Sequence, residues 1–437
     1  MVKTYKILII SGVSPYKSAN LGKDQMDAFL QAGHQVDFLT KYSFDGMEDN
    51  MLSVYDHAEP VNTKFSLKSE IKAFLKKYFR YWIVKFRNKG DFHLITVDDE
   101  SKPPVFPELM FSKLRDNYDF IVTLFWHGLI NSSTLDAFYN RYKCPILIQS
   151  ADMAPMTGGC YYFGDCNNYR QECNNCPADS KFSRKGQANF NFLYKKGVYS
   201  RINCVYLSNS YVCTAVKQSG IIDASRVKVT EFVLNENTFK PVIDIKKSRK
   251  ESNIPEDCII LFAGAANIDI PRKGFDKLVE AVNYLPQNLN GKKIVIVLAG
   301  SVNTDVEKLF NKEVICTGFL NIQKLAEMYS ISDVFISPSI DDAGPSMVNQ
   351  SLMSGTPVVS FDIGTAQELV INGENGYRAP NKDSKALAEG IILVLKRMET
   401  SEAEVRQKCR EVAMNSNSLH TFNDRMIEIY NEIAYGE

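Results

Sequence analysis

The feature that most constrains the fold is the stretch from residue 333 to 376, in which apolar runs alternate with turns of small residues. Two of these runs, Val334–Ser337 and Val358–Phe361, have the length and composition of buried parallel strands. Between them, Gly344, Pro345 and Ser346 mark a turn into a helix, which the Gly-Thr-Pro sequence at 355–357 ends. The stretch is therefore predicted to form a strand–loop–helix–strand unit of a parallel α/β sheet.

The loop of this unit is a candidate ligand-binding place, because ligands of open α/β sheets bind beyond the carboxyl ends of the strands. A helix that starts near Ser346 presents free backbone N–H groups and a positive dipole end, which suits a phosphate group. Two acids, Asp341 and Asp342, precede the turn. Any doubly wound protein contains several such units, so the unit by itself does not identify the ligand.

The order of residues in this stretch resembles the donor-site signature of retaining GT-B glycosyltransferases, a family that includes glycogen-synthase-like and bacterial polysaccharide enzymes. The shared order is Pro-Ser, an acid, Gly-Pro, a polar helix residue, Gly-Thr-Pro-Val-Val, Gly, Glu and Asn-Gly. The family carries two glutamates eight positions apart. Here the pair falls on Asp342 and Gln350, or on Asp341 and Gln350 if the loop shifts by one. Asp342 keeps the charge on a shorter side chain, and Gln350 still hydrogen-bonds ribose hydroxyls.

The resemblance implies a GT-B fold, in which two Rossmann-like, doubly wound α/β domains face each other and a C-terminal helix crosses back to the first domain. A chain of 437 residues is long enough for two such domains. We place the N-terminal, acceptor-side domain at 1–240 and the C-terminal, nucleotide-sugar-binding domain at 241–415, because residues 235–250 are polar and rich in lysine. The crossing helix is expected at 416–437.

The composition is that of an ordinary globular protein, with 45% hydrophobic and 23% charged residues. No apolar run reaches the roughly 20 residues that cross a bilayer. The N-terminus enters a strand without a signal-peptide pattern, and ten cysteines without such a signal favour reduced thiols in the cytoplasm. A formal net charge of zero does not indicate a nucleic-acid partner.

A basic pair follows the first strand of the C-terminal domain and is a candidate diphosphate site. Gly264 allows a close approach of the backbone, and Arg272 and Lys273 precede a helix. Arginine binds a diphosphate in a bidentate manner and lysine acts as a point charge. The resembling family has a basic pair here but places its arginine directly after the glycine, where this chain has Ala265. The alternative is a solvated pair, which the helix dipole disfavours.

Two further strands of this domain end in glycine, and their loops are candidate nucleotide contacts. Gly300 follows the predicted strand at 294–299, and Gly318 with Phe319 follows the predicted strand at 314–317. The resemblance implies that both loops approach the nucleotide and that the second contacts the base through backbone groups.

Two residues of the N-terminal domain are candidates for the acceptor side of the reaction. His127 follows the predicted strand at 120–125, and the resemblance places a histidine here close to the transferred sugar or to the acceptor. Asp152 follows the predicted strand at 146–150, and the resemblance makes it a candidate acceptor-binding residue. The alternatives are a structural histidine and an acid that caps a core turn. The opening βαβ unit lacks a GxGxxG sequence and does not indicate a dinucleotide site.

Four cysteines, Cys160, Cys166, Cys173 and Cys176, form a Cys-rich insertion at 160–176. The last two are separated by two asparagines, as in a zinc knuckle, and four thiolates would make a closed structural zinc site. The alternatives are two disulfides, which the cytoplasm disfavours, or free thiols. The same stretch resembles a segment of one bacterial subgroup of the transferases, in which an Asp, a Thr-Gly-Gly-Cys sequence and further cysteines follow a strand.

Residues 64–90 depart most from the average composition, with nine Lys or Arg residues and the single acid Glu70. Large apolar residues recur at steps of three and four, which predicts an amphipathic helix with aromatic side chains on one face. A basic amphipathic helix favours binding to an anionic membrane surface. The alternative is a surface helix that packs its apolar face on the N-terminal sheet.

The reaction that the resemblance implies moves a sugar from a nucleotide-diphosphate sugar to a hydroxyl of a saccharide or lipid-linked saccharide acceptor, as in capsule, exopolysaccharide or O-antigen synthesis. Asp342 would lie near the donor sugar or diphosphate and joins His127 and Asp152 as a candidate catalytic residue. No cofactor is expected in catalysis. The alternatives are a sugar-nucleotide epimerase of the same fold and a catalytically impaired nucleotide-sugar-binding protein, which Gln350 suggests.

Overall fold

In the computed structural model of the protein, the chain forms two compact units. The structure describes residues 3–56, 96, 98–126, 128–149, 151–179, 182, 184–268, 270–301, 305–344 and 346–436. Unit 1 consists of Met1–Leu207, Cys213–Lys228 and Ile429–Glu437, and unit 2 consists of Ser208–Val212 and Val229–Glu428. The predicted domain boundary near residue 240 stays a prediction.

Unit 1 is built on a sheet with strand order β3-β2-β1-β4-β5-β6-β7, in which the neighbouring strands from β3 to β6 pair in parallel. The side chains of β1, β4 and β5 are almost entirely buried, as expected for parallel strands covered on both faces. The strands are β1 Lys6–Ser11, β2 Gln35–Tyr42, β3 Met51–Tyr55, β4 Phe120–Thr123, β5 Ile146–Gln149, β6 Cys204–Ser208 and β7 Val227–Val229.

The helices between these strands make the parallel crossovers of a doubly wound sheet. They are α1 Lys17–Gln31, α2 Pro107–Phe111, α3 Ser132–Tyr142, α4 Gln187–Arg201 and α5 Ser210–Ser219. The start of α3 shows why a helix begins there, since the Asn131 side chain accepts a hydrogen bond from the Thr134 N–H in a capping box.

Unit 2 is built on a second sheet with strand order β11-β10-β8-β12-β13-β14, and a short strand, β9, pairs antiparallel with β10. This order places β8 and β12 side by side in the middle of the sheet, so the loops after these strands lie next to each other. The strands are β8 Cys258–Asn267, β9 Asn288–Leu289, β10 Lys292–Ser301, β11 Glu313–Gly318, β12 Val334–Ser337, β13 Val358–Phe361 and β14 Gly376–Ala379.

The helices of unit 2 cover this sheet, and the last helix of the chain ends in unit 1. The long helix α11 contains one residue with non-helical dihedral angles, Ser401, where two helices meet at a kink. The helix α12 begins at Leu419 in unit 2, and its residues from Ile429 onward belong to unit 1, as the predicted crossing helix requires. The helices are α6 Ile245–Glu251, α7 Phe275–Tyr284, α8 Ile322–Ile331, α9 Ser346–Met353, α10 Ala366–Leu369, α11 Ser384–Asn417 and α12 Leu419–Tyr435.

Several predictions fall outside the described residues. These are the basic amphipathic helix at 64–90, His127 and Pro345. Within the described ranges, no helix is long and apolar enough to span a membrane.

Candidate functional site

A cavity lies in unit 2 where β8 and β12 end and where α9 begins. Gly264 at the end of β8, Lys273 before α7 and Ser346 at the start of α9 line it, together with Ser337 and Ser339. The tertiary structure thus brings together three of the predicted donor-site residues, which come from three separate parts of the sequence. The position agrees with the general rule for ligand sites in open α/β sheets.

A cluster of three charges lies beside this cavity. The Lys273 Nζ atom lies 2.5 Å from Asp342 Oδ2, and the Arg272 Nη1 atom lies 2.9 Å from the same oxygen. Asp342 is only 5% exposed. Burial by itself raises the pKa of Asp342, but the charges of Lys273 and Arg272 outweigh it and hold the pKa below its ordinary value. One carboxylate against two cations leaves a net charge of +1, which suits an anionic ligand.

Backbone contacts hold the two cations against the loop after β12. The Ile340 N–H donates a hydrogen bond of 2.8 Å to the Arg272 carbonyl oxygen. Gly274 has a φ of 64°, and a Cβ atom there would lie 1.9 Å from the Pro338 carbonyl oxygen. Only glycine fits this position, because a side chain would separate the basic pair from the loop that carries Asp342.

A similar close approach joins β8 and β10 next to the cavity, although Gly300 is not among the residues that line it. Gly300 has a φ of 119°, and a Cβ atom there would lie 1.7 Å from the Ala265 carbonyl oxygen. The two strand ends therefore meet without an intervening side chain. Gly318 and Phe319 are not among the residues that line this cavity, and Phe319 is 75% exposed at the end of β11. Their proposed contact with the base stays a prediction.

The turn before α9 requires glycine for the same steric reason. Gly344 has a φ of 153°, and a Cβ atom there would lie 2.6 Å from Asn209 Nδ2 and 3.0 Å from Thr365 Oγ1. Asn209 belongs to unit 2 and donates a hydrogen bond from Nδ2 to the Ala343 carbonyl oxygen. The side chains of Asn209 and Thr365 thus pack against the turn at Gly344. Neither residue is predicted from the sequence, because both are distant from Gly344 along the chain and belong to no local motif.

Gln350, the candidate ribose ligand, lies on α9 but does not line the cavity. Its side chain is 1% exposed, and its Oε1 atom accepts a hydrogen bond of 3.1 Å from the Tyr329 hydroxyl. Its Nε2 atom has no hydrogen-bond partner among the described residues. A contact with the ribose would therefore require a rotation of this side chain, and the ribose role stays a prediction.

Asp152, the described candidate on the acceptor side, is buried in unit 1. Its Oδ1 atom accepts a hydrogen bond of 2.8 Å from the Ala154 N–H, so the carboxylate caps the turn that follows β5. Burial raises the pKa of Asp152 to about 7, although the Ala154 N–H and the Lys195 ammonium act in the opposite direction. Lys195 is fully buried and pairs with Glu100 Oε1 at 3.2 Å. The acceptor-binding role of Asp152 stays a prediction.

The four cysteines of the insertion are free thiols in unit 1. The Gly158 N–H donates a hydrogen bond of 3.2 Å to Cys173 Sγ, and burial raises the pKa of the Cys173 thiol to about 12. Throughout the ranges that the structure describes, no group of three or more His, Cys, Asp or Glu side chains is placed to hold a metal ion. The zinc site at the four cysteines stays a prediction.

Part of unit 2 is similar in sequence to known glycosyltransferases. Residues 244–415 match the family described as Glycosyl transferases group 1. A phosphatidyl-myo-inositol mannosyltransferase of Mycobacterium leprae is 30% identical over 145 residues, which are 31% of this chain and 37% of that protein. The chain spans between 30% and 54% of the length of the curated relatives that it matches.

Solved structures resemble the chain over nearly its whole length. Sucrose-phosphate synthase from Thermosynechococcus elongatus is 17% identical with a TM-score of 0.63, and the likeness covers 99% of this chain and all of that one. The Anabaena protein HepE in complex with UDP and glucose is 16% identical with a TM-score of 0.61, over 97% of this chain and 98% of that one. At these identities the likeness shows the fold, and the predicted GT-B fold of two Rossmann-like domains is confirmed.

Proposed function

We propose that this chain, whose residues 244–415 belong to the glycosyl transferases group 1 family, transfers a sugar from a nucleotide-diphosphate sugar to a hydroxyl of a saccharide acceptor. The observation that carries the proposal is the cluster of Arg272, Lys273 and Asp342 beside the cavity at the ends of β8 and β12. All three residues lie inside the matched segment. Retention of the anomeric configuration, and a place in capsule, exopolysaccharide or O-antigen synthesis, are part of the proposal.

The chemistry of such a transfer explains why the cations are needed. As the bond between the sugar and the diphosphate breaks, negative charge develops on the leaving nucleoside diphosphate. Preorganised positive groups stabilise that charge more strongly in the transition state than in the ground state. Arg272 and Lys273 supply the charge, and the N–H groups at the start of α9 supply further hydrogen-bond donors. Asp342 holds both cations in place, because it contacts each of them.

On the acceptor side, Asp152 and His127 remain the residues to test. A carboxyl group with a pKa of about 7 is suited to exchange a proton near neutral pH. We assign no general base. The Asp152→Asn variant removes the titrating group and keeps the size of the side chain, so it separates a proton-transfer role from the capping of the turn.

Nucleotide binding tests the proposal directly. We would measure the unfolding midpoint with UDP, GDP and ADP and with their common sugar conjugates. A ligand at about 100 times its dissociation constant stabilises a protein by about 2.7 kcal/mol, which shifts the midpoint visibly. We expect one base to give a shift that the Arg272→Ala, Lys273→Ala variant abolishes. The matched control is Lys246→Ala with Lys247→Ala, which removes two neighbouring cations from the surface helix α6.

Product analysis then separates the alternatives. Release of nucleoside diphosphate that depends on an added saccharide acceptor supports the transferase, whereas conversion of the donor sugar without acceptor indicates an epimerase. Nucleotide binding without turnover, together with activity gained by Gln350→Glu, would instead indicate an impaired binding protein. If none of the nucleotides shifts the midpoint, the proposed function is wrong.

A membrane-linked acceptor is a further part of the proposal and rests on the sequence of residues 64–90 alone. Nine basic residues in this stretch would attract an anionic membrane surface, by about 1 kcal/mol for each well-placed Lys or Arg. We expect the protein to float with vesicles that contain anionic lipid, at the inner face of the membrane in the cell. The Lys76→Glu, Lys77→Glu, Arg80→Glu variant should stay unbound, while the same charge change on α6, at Lys246, Lys247 and Lys250, should not affect flotation.

A further inference from the structure

Two carboxyl groups meet in the interior of unit 2, behind the turn that precedes α9. Glu231 follows β7 and is buried, and its carboxyl group is within hydrogen-bonding reach of Glu368 on α10. The Oε2 atom of Glu231 accepts hydrogen bonds from Thr365 Oγ1 at 2.9 Å and from Asn349 Nδ2 at 3.3 Å. Three chain segments, the one after β7, the helix α9 and the start of α10, therefore converge on one carboxyl group.

One oxygen of each acid lacks a donor within the part of the chain that the structure describes. Among the described residues, Glu231 Oε1 and Glu368 Oε2 are shielded from solvent and lack a hydrogen-bond partner. Two oxygen acceptors can bond to each other only through a proton, and two buried carboxylates without a cation repel each other strongly. Glu368 is the charged group that faces Glu231, since Thr365 and Asn349 are neutral. Burial, reinforced by Glu368, raises the pKa of Glu231 well above its ordinary value.

The acid pair is connected to the candidate donor site by two routes within unit 2. Thr365 Oγ1, which donates to Glu231, also lies directly behind Gly344, where a Cβ atom would approach it to 3.0 Å. Asn349 lies in the first turns of α9, whose first residue, Ser346, lines the cavity. A change in the position or charge of Glu231 would therefore move both the turn and the helix start.

We propose that Glu231 and Glu368 hold one proton between them and act as positioning residues that fix the Gly344 turn and the start of α9 at the donor site. The inference rests on the proposed function of that site. It assigns to Glu231 a role that no local sequence motif indicates. A single proton on the pair forms a hydrogen bond between the facing oxygens of Glu231 and Glu368. Removing that proton leaves two negative charges in contact, which pushes apart the segments that carry Thr365 and Asn349.

The Glu231→Gln variant imitates the protonated acid. Its amide nitrogen donates to the Glu368 carboxylate, while its carbonyl oxygen still accepts from Thr365 and Asn349. Glu231→Ala removes both sets of contacts. The matched control is Glu389→Gln, which makes the same chemical change at an exposed position on α11.

Two measurements on the full chain test the two parts of the proposal. The first is the unfolding midpoint between pH 5 and pH 7.5. Because the folded pair binds a proton that the unfolded chain has released, the midpoint of the wild type should fall with rising pH relative to Glu231→Gln, and Glu389→Gln should follow the wild type. Equal pH dependence in the wild type and Glu231→Gln would show that the pair shares no proton.

The second measurement is the dissociation constant of UDP, GDP and ADP at pH 7, at a temperature well below the unfolding midpoint. We expect Glu231→Gln to bind within about twofold of the wild type and Glu231→Ala at least tenfold more weakly, which a purely stabilising residue would not produce. Thr365→Val removes the hydrogen bond that links Glu231 to the Gly344 turn and keeps both acids in the chain. It replaces Glu231→Ala in this test if that variant does not fold. Unchanged affinity in Glu231→Ala, or in Thr365→Val, overturns the positioning role.

Failure of the proposed function can be distinguished from failure of this inference. If the wild type binds none of the three nucleotides, the proposed function and the positioning role both fail. The unfolding measurements need no ligand, so they still test whether Glu231 and Glu368 share a proton.

Discussion

At the scale of single residues, the site in unit 2 depends on the balance of charge around Asp342. A buried carboxylate is stable as an anion only where cations compensate its lost hydration, and here two cations do so. The same two cations are the groups that would bind the diphosphate. Asp342 therefore has two effects, because it fixes the direction of both side chains and lowers the positive charge that the ligand meets from two to one.

Removing Lys273 should destabilise unit 2, because Asp342 then loses one of the two cations that contact it. Breaking a buried ion pair costs about 3 kcal/mol in the free energy of unfolding, and we expect a loss near that value for Lys273→Ala. Denaturant unfolding measures it. Lys273→Met keeps the aliphatic part of the side chain and should lose about as much stability as Lys273→Ala, because both variants remove a charge that compensates Asp342. Near wild-type stability in Lys273→Met would mean that packing around Lys273, and not charge, stabilises the loop.

Asp152 should make the stability of unit 1 depend on pH. Its folded pKa of about 7 lies above its ordinary value of 3.8, so folded protein binds a proton that unfolded protein has lost between these values. The contribution of Asp152 is therefore fully present below pH 3.8 and is lost as pH rises towards 7, by up to about 1.4 kcal/mol per pH unit. Trp126 is buried in unit 1, so its fluorescence follows the unfolding of this unit. Asp152→Asn should remove this slope; an unchanged slope would show that Asp152 is ionised.

At the scale of elements, the turn before α9 depends on space as well as on backbone conformation. We expect Gly344→Ala to weaken nucleotide binding by about tenfold, because the new methyl group would displace Asn209, Thr365 or the turn itself. Gly291→Ala is the control, since Gly291 also has a positive φ, of 78°, but a Cβ atom there meets nothing within 4 Å. That variant should lose about 1 kcal/mol of stability from backbone strain and bind nucleotide normally. Equal affinities in the two variants would contradict the steric argument.

The zinc content of the Cys-rich insertion can be measured directly. We expect about one zinc ion per chain in protein purified without chelators, if four thiolates close around a metal as the spacing predicts. Cys173→Ser should lose the metal. Cys316→Ser, which changes the exposed cysteine on β11, should keep it. Metal-free protein with an unchanged unfolding midpoint would show that the insertion is held by its thiol and backbone contacts alone.

At the scale of the whole molecule, the last helix determines which unit the end of the chain stabilises. Tyr430 of α12 packs in unit 1, where its ring stacks on Phe120 with centroids 4.9 Å apart and meets the edge of Tyr5 at 5.1 Å. Tyr5, which directly precedes β1, and the last helix therefore share one aromatic cluster with Phe120 of β4. Truncation at the C-terminus should consequently act on the N-terminal sheet.

The Tyr430→Ala variant tests this coupling between chain ends. Removing a buried aromatic ring costs about 3 kcal/mol, and Tyr430 is 4% exposed. We expect the loss in the unfolding of unit 1, followed by tryptophan fluorescence, with nucleotide binding in unit 2 retained. Tyr435→Ala, at a residue that is 54% exposed, should have a much smaller effect. A similar loss in both variants would contradict the assignment of Tyr430 to the core.

The amino-acid sequence by itself determined the elements whose apolar runs are long and sharply bounded. The strands predicted at 334–337 and 358–361 coincide with β12 and β13, because an apolar run bounded by a proline at one end and an acid at the other is most stable inside a parallel sheet. The short strands β3 and β14 were not predicted. Their residues are mixed in character, and their extended conformation depends on pairing with β2 and β13.

Only the tertiary structure decided which of the candidate residues meet. It joins Arg272 and Lys273 to Asp342, and it turns Gln350 towards Tyr329 and away from the cavity. It also brings Glu231 against Glu368. These residues are more than a hundred positions apart, and no local sequence pattern predicts their contact. The physical reason is that hydrophobic periodicity is local, whereas compensation of a buried charge depends on groups that only the packing of distant segments brings together.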